Sequence, residues 1–529
     1  MSSSTNTVKS RSFRLGSLTC RRNLILGSLV VVAFSSGLWA QTADNCQKLA
    51  ALALPDTTIT MAAAVDAGAF PAPASGGQAA AAREAYKKLP GFCRVAATIR
   101  PVSDSEIKME VWLPASGWNG KLQVVGNGGW SGSISYPAMA RALAAGYATA
   151  STNTGHDGER ASFVPGHPEK FIDFAWRAVH LTAVQSKAIV KSYYGNPAKY
   201  AYWNGCSTGG RQGLKEAQKF PDDFDGLIVG DPVNNWVHQK AADVAMYQLT
   251  HKTPESFIPL SKYPMIHKAV MDQCDAMDGV VDGVLENPRL CHWEPSSIQC
   301  KGEDGPNCLT APQVTALTKL YAPTRIPKTG EILFPGMERG TELAMGGLIG
   351  NEPHLTATDL FTYVVFNDPN WDQMTLNLDT DVALADKIDA VVSVSATNPD
   401  LKPLFAHNGK VIMYHGFSDQ LVMPGNSINY YNTVVEKSGG LDKSSNSIRL
   451  FMVPGMGHCG GGEGPNQFDM MPALDQWVEK GNAPERIIAS RVTDGKVTRT
   501  RPLCPYPQVA KYKGTGSTDD ESNFVCQAQ

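Results

Sequence analysis

The stretch Tyr200-Ala-Tyr-Trp-Asn-Gly205-Cys206-Ser207-Thr208-Gly209-Gly-Arg-Gln-Gly213 decides how the chain is read. Gly205 to Gly209 form a G-x-S-x-G pentapeptide. An aromatic, strand-like run stands before it, and a helix-compatible run, Gln212 to Phe220, stands after it. Strand, pentapeptide and helix together are the context of a nucleophile elbow. The turn is tight enough to demand glycine on both sides of the serine, since a Cβ there would meet the neighbouring chain. The serine is left at a helix N-terminus, where backbone N–H groups can receive an oxyanion. Alone the pentapeptide is a weak signal; its weight comes from its partners downstream.

A serine nucleophile needs a base, and the base needs an orienting carboxylate. Lys410 to His415 is a short apolar strand, followed by His415-Gly-Phe-Ser-Asp419. Ile448 to Val453 is another, followed by Pro454-Gly-Met-Gly-His458-Cys459-Gly460. Asp419 and His458 thus fall in loops after core strands, in the order Ser, Asp, His that an α/β hydrolase uses. Ser207, Asp419 and His458 are the candidate catalytic residues. His415, at a strand end, reads as a packing or hydrogen-bonding residue, and His156 as a hydrogen-bonded loop histidine. The remaining histidines lack a comparable setting. The cluster Gly126-Asn-Gly128-Gly129-Trp130 follows the strand Lys121 to Val125. It is either a second oxyanion donor or a plain glycine turn.

The rest of the pattern fits a doubly wound sheet with a large insertion. Residues 41 to 95 are Ala-rich and read as loops and short surface pieces. Glu106 to Leu113, Tyr147 to Ser151 and Asp225 to Gly230 read as strands, with Pro114 to Gly120 a turn between the first of these and Lys121 to Val125. Trp176 to Tyr194 reads as a helix stopped by Gly195 and Pro197. From Asn234 to Phe405 clean alternation disappears, and core patterning resumes at Lys410. The expected organisation is a signal peptide at 1–40, a core in two parts at 41–233 and 406–529, and a lid domain at 234–405.

With 529 residues the chain exceeds one small core. Its net charge of −3 gives no sign of a nucleic-acid partner. Lys9, Arg11, Arg14, Arg21 and Arg22 precede the apolar run Leu24 to Phe34, and Leu38-Trp-Ala40 resembles a cleavage site. A Sec or a twin-arginine signal both fit, and a membrane anchor competes, although the apolar run is short for one. The expectation is export to the periplasm or beyond, with no membrane contact in the mature form.

Of the eleven cysteines, Cys20 lies in this leader, leaving ten. An even number in an exported chain argues for disulfides. Cys206 precedes the candidate nucleophile and Cys459 follows the candidate base. If Ser207 and His458 touch, these two cysteines are neighbours and can pair; the alternative is a buried free thiol at Cys206. Cys274-Asp275-Ala-Met-Asp278-Gly-Val280-Val-Asp282-Gly-Val284 spaces three carboxylates along a coiled loop. Hard oxygen ligands there, with the carbonyls of Val280 and Val284, suit Ca²⁺, and a solvated acidic turn fits equally.

These motifs, together with Val365-Phe-Asn-Asp-Pro-Asn-Trp371 and Arg501-Pro-Leu-Cys-Pro-Tyr-Pro507, resemble the tannase/feruloyl esterase family, which includes hydrolases of mono(2-hydroxyethyl) terephthalate. The resemblance covers nearly the whole mature chain. It implies an α/β-hydrolase core with a lid and a triad of Ser207, Asp419 and His458. It implies oxyanion donors from the Thr208 N–H and an N–H of Gly128 or Gly129, and structural Ca²⁺ at Asp275, Asp278, Val280, Asp282 and Val284. It also implies the pairs Cys206–Cys459, Cys46–Cys93, Cys274–Cys291, Cys300–Cys308 and Cys504–Cys526. The substrate it implies is a small aromatic ester, feruloyl or galloyl. The terephthalate branch carries a phenylalanine where Val422 falls here, which weighs against that ester as the main substrate. A binding protein on a hydrolase scaffold is the reading from a different class.

Overall fold

The computed structural model describes residues 44–71 and 79–529; the leader at 1–40 lies outside them. Among the described residues no helix is long and apolar enough to cross a membrane.

Among the described residues nine strands form one sheet, and six more form three small hairpins. In chain order they are β1 (Thr57–Val65), β2 (Phe92–Ile99), β3 (Ile107–Pro114), β4 (Lys121–Val125), β5 (Ala148–Thr152), β6 (Tyr200–Cys206), β7 (Gly226–Gly230), β8 (Thr324–Arg325), β9 (Ile332–Phe334), β10 (Lys410–Gly416), β11 (Ile448–Val453), β12 (Ile487–Thr493), β13 (Lys496–Leu503), β14 (Gln508–Tyr512) and β15 (Phe524–Ala528). The large sheet runs β1-β2-β3-β5-β4-β6-β7-β10-β11. Its first three pairings are antiparallel, and β5 through β11 are parallel. This is the α/β-hydrolase arrangement. The central strands are short and buried along nearly their whole length, as strands covered by helices on both faces must be.

The sequence reading of 41–95 as loops and short surface pieces is overturned where β1 and the start of β2 fall within it; 41–43 and 72–78 lie outside the described residues. β1 and β2 pair over eight registered positions, and β2 is largely buried, with Val95 and Ile99 in the main core. Alanine has low strand propensity, and here the edge pairing and the core behind β2 override it. β3 and β4 are also not neighbours across their turn, because β5 lies between them. The helix at the elbow starts at Thr208, earlier than the expected Gln212, and ends at Lys219.

Between β7 and β10 no strand joins the large sheet. This chain forms the helices Trp236–His251, Tyr263–Cys274, Ala311–Tyr321 and Asp381–Val392 and the β8–β9 hairpin. It carries its own apolar cluster of Ile266, Val270, Trp293, Leu317 and Phe334. A second cluster joins Trp236, Leu360 and Phe361 from this segment to Trp130 and Phe174 of the core. The inserted segment is thereby packed onto the segments that follow β4 and β5. Ten cysteines pair as Cys46–Cys93, Cys206–Cys459, Cys274–Cys291, Cys300–Cys308 and Cys504–Cys526.

Candidate active site

The elbow forms because its glycines let two backbones touch. A Cβ on Gly205 would stand 2.6 Å from the Gly209 carbonyl oxygen, and one on Gly210 would stand 2.4 Å from that of Gly230. Ser207 pivots between them at φ 63° and ψ −121°, a region that a side chain occupies only under constraint. Its N–H donates to the Gly230 carbonyl at 2.9 Å, which ties the turn to β7. Behind it, the buried Arg211 guanidinium donates to the carbonyls of Phe174, Ala175 and Val394 and holds the helix to the inserted segment.

Three loops bring the candidate catalytic residues together. Ser207 Oγ lies 2.9 Å from His458 Nε2, and His458 Nδ1 lies 2.7 Å from Asp419 Oδ2. Asp419 is fully buried, and its Oδ1 accepts the N–H groups of Leu421 and Val422 at 2.8 and 2.9 Å. Two further residues complete this network: His415, expected to pack or hydrogen-bond, and Asp231, which the sequence did not single out. His415 is buried, with Nδ1 at Ser427 Oγ and Nε2 at the Val422 carbonyl and 3.2 Å from Asp419 Oδ2. Asp231, also buried, accepts the Gly416 N–H with Oδ1 and the Cys459 N–H with Oδ2, each at 2.8 Å. One carboxylate thus pins the loops that carry acid and base. The Cys206–Cys459 disulfide joins nucleophile and base loops across 253 residues.

Burial pushes the Asp419 carboxyl upward, but the charge of His458 and hydrogen bonds from His415 and His458 outweigh it, so it is held well below the usual carboxylate range. Burial likewise works against protonated His458; Asp419 and then Asp231 reverse the sign and raise it above the ordinary imidazole value. Asp231 is raised by burial and by Asp419, against the pull of both histidines.

The glycine loop after β4 is fixed against the elbow. Gln212 exchanges two hydrogen bonds with Asn127, at 3.1 Å each, and Thr208 Oγ1 donates to the Gly129 carbonyl at 2.9 Å. Among the described residues the N–H groups of Thr208, Gly128 and Gly129 have no protein acceptor. All three residues border one cavity of about 890 Å³ with Ser207 and His458. A hydroxyl polarised by an imidazole–carboxylate pair, beside free N–H donors, can attack an acyl carbon and hold the oxyanion that forms.

The inserted segment supplies the opposite wall with Trp236, Gln239, Lys240, His354 and Thr356, alongside Leu421 and Val422. Of these, only Val422 was singled out from the sequence. The signal was there: 236, 239, 240 and 243 fall on one face of the helix Trp236–His251, and that buried face carries polar groups. Asp231 was missed because an Asp-Pro step after a strand reads as a turn.

In the acidic loop, Asp278, Val280, Asp282, Val284 and Glu286 border a void of about 10 Å³, room for one small ion or water. Asp275, at the start of the loop, accepts the N–H groups of Asp282 and Gly283. Burial, with the neighbouring acids, pushes Asp278 up to about 6 and Glu286 up to about 8. Arg499 and Arg501 of β13 reach Asp282. Arg501 also borders the void, and the carboxylate and carbonyl donors there are all oxygen, the chemistry a hard cation takes.

Residues 93–527 match the family described as tannase and feruloyl esterase. An uncharacterized esterase of Xanthomonas campestris is 37% identical over 95% of this chain and 93% of its own length. A probable feruloyl esterase B-2 of Neosartorya fischeri is 35% identical over 82% of this chain and 86% of its own. The crystal structure of feruloyl esterase B from Aspergillus oryzae superposes with a TM-score of 0.86, at 32% identity over 92% of this chain and all of that one. A tannin acyl hydrolase from Aspergillus niger shares the fold, with a TM-score of 0.75 at 22% identity over 92% of this chain and 96% of that one.

Proposed function

The chain belongs to the tannase and feruloyl esterase family and is a carboxylic ester hydrolase, and from that premise we propose that it cleaves feruloyl-type aromatic esters through Ser207, His458 and Asp419. The observation that carries the reading is the unbroken chain from Ser207 Oγ to His458 Nε2 at 2.9 Å and from His458 Nδ1 to Asp419 at 2.7 Å. Ser207 Oγ attacks the ester carbonyl while its proton passes to His458 Nε2. The N–H of Thr208, with that of Gly128 or Gly129, holds the oxyanion. The carbon–oxygen bond to the alcohol then breaks, and His458 returns the proton to that oxygen. Water, losing its proton to the same nitrogen, opens the acyl-enzyme and restores Ser207. Asp419 keeps the imidazole tautomer and balances the imidazolium charge.

Residues 234–405 act as the lid that shapes the acyl pocket. Asp275, Asp278 and Asp282, with the carbonyls of Val280 and Val284, would hold Ca²⁺, which would supply a structural tie within the lid. The five disulfides suit an oxidising compartment, so the mature protein works in the periplasm or outside the cell. A galloyl ester or mono(2-hydroxyethyl) terephthalate is the alternative substrate. At the position where the terephthalate branch has phenylalanine, the smaller Val422 is buried at the cavity, which favours the first two classes.

Rates on methyl ferulate, methyl gallate, mono(2-hydroxyethyl) terephthalate and p-nitrophenyl acetate test the reading. Preference for the ferulate is expected. Turnover of the nitrophenyl ester alone leaves the triad standing and removes the substrate class. No turnover of any of the four favours a binding protein on this scaffold.

A further inference from the structure

The wall facing Ser207 carries polar groups that the catalytic network does not use. On one face of the helix Trp236–His251, Trp236 is 1% exposed, Gln239 0%, Lys240 3% and Asp243 1%. The first three border the catalytic cavity. Gln239 is oriented by its Nε2, which donates to the Leu421 carbonyl at 2.7 Å, and this leaves Oε1 without a protein partner. Trp236 Nε1 and Asp243 Oδ1 have none either. Lys240 Nζ reaches only Asp243 Oδ2, at 3.5 Å, and lies 5.2 Å from the Trp236 ring centre. An ammonium has three donors, so most of its capacity is unspent. Buried polar groups without partners carry an uncompensated desolvation cost, and such a cluster beside a substrate cavity calls for a ligand that completes it.

We propose that Gln239 and Lys240, with the Trp236 indole N–H, form the subsite that recognises a phenolic hydroxyl on the acyl group. The inference rests on the reading of this cavity as an aromatic-ester site and adds the residues that select among such esters. A phenol both accepts and donates one hydrogen bond. Lys240 Nζ or Trp236 Nε1 donates to its oxygen, and Gln239 Oε1 accepts its proton. A carboxylate offers acceptors only. It would leave Gln239 Oε1 unpaired and would stand near Asp243, whose Oδ1 has no compensating donor. The wall therefore suits a hydroxylated ring better than a carboxylated one.

The test is the ratio of kcat/KM for methyl 4-hydroxycinnamate over methyl cinnamate, with methyl 4-carboxycinnamate as a third ester. A site built to hydrogen-bond a hydroxyl discriminates strongly against its absence, so the native enzyme is expected to show a ratio of at least about ten. In Gln239→Leu the ratio should fall to within about threefold of one, mainly through the hydroxylated ester. Lys240→Met should do the same; melting curves establish that each variant is folded, and Gln239→Leu keeps the Lys240–Asp243 pair if the other fails. Equal rates on both esters in the native enzyme would overturn the proposal, as would a ratio that survives in folded Gln239→Leu. Faster turnover of the carboxylated ester would overturn it in favour of anion binding. No turnover of any cinnamoyl ester would bring down the substrate reading itself, and this inference with it.

Discussion

Two walls of one cavity are built on opposite terms. On the catalytic side the polar side chains meet one another: Ser207 with His458, His458 with Asp419, Asp419 with two N–H groups and His415, and Asp231 with the loops of acid and base. A disulfide closes the same ring. On the lid side Trp236 Nε1, Gln239 Oε1 and Asp243 Oδ1 stand without protein partners. A satisfied network is preorganised and needs no substrate to hold its shape. An unsatisfied one is completed only by what binds. On the reading proposed above, the first wall carries the chemistry and the second the selection.

The comparison is broken most severely by Ser207→Ala. It should lower kcat by several powers of ten with little change in melting temperature, since the hydroxyl contributes to reaction and hardly to packing. Ordinary turnover by a folded Ser207→Ala would falsify the mechanism. Asp231→Ala comes next. It leaves the Gly416 and Cys459 N–H groups without their acceptor and loosens both loops, so kcat should drop on the order of a hundredfold, with KM moving less. A drop in KM-type binding alone would show that Asp231 does not position the triad.

The disulfide and the acidic loop sharpen the contrast through stability. Replacing Cys206 and Cys459 together by alanine should cost about 2–5 kcal/mol, read from denaturant melts, because the bond closes a very long loop. Chelation of divalent ions should lower the melting temperature while the protein that remains folded keeps its kcat. Loss of turnover in folded, chelated enzyme would give the ion a part in the chemistry.

Titration separates the walls with smaller effects. His458 must be neutral to accept the Ser207 proton, and its pKa is raised by Asp419. The acid limb of kcat/KM should therefore lie above pH 6.5, the ordinary imidazole value. An acid limb below that value would contradict the pairing. His267, in the lid helix Tyr263–Cys274, bonds Glu342 at 2.9 Å and Glu463 of the base loop at 2.8 Å. Burial opposes its charge, but the two carboxylates win and raise it to about 9. Because the folded pKa is the higher one, the stabilisation is complete below about pH 6.5 and fades as pH rises through about 9. His267→Gln should flatten that part of the stability profile.

How much could be read in advance follows the same division. The elbow, the Asp419 loop and the His458 loop were legible because their chemistry imposes local rules: glycines where backbones touch, a strand before each loop, a fixed order along the chain. The parallel half of the sheet was legible from its short apolar runs. β1 and β2 were not, since alanine gives a weak strand signal and their pairing depends on the core behind them. Asp231 acts through contacts with residues far away in sequence, and no local pattern marks it; His415, by contrast, bonds within its own loop, to Asp419, Val422 and Ser427. The lid wall is the instructive case. Trp236, Gln239, Lys240 and Asp243 do share a helix face, but only the fold reveals that this face looks into the catalytic cavity rather than outward.

The central claim is that Ser207 is the one activated nucleophile of this cavity. Labelling with a fluorophosphonate, followed by mass spectrometry of the modified peptide, tests it directly. The account predicts a single adduct on Ser207, formed in step with the loss of methyl ferulate hydrolysis and absent from Asp419→Ala on the same timescale. An adduct on another serine, or full hydrolytic activity in protein already labelled at Ser207, would contradict it.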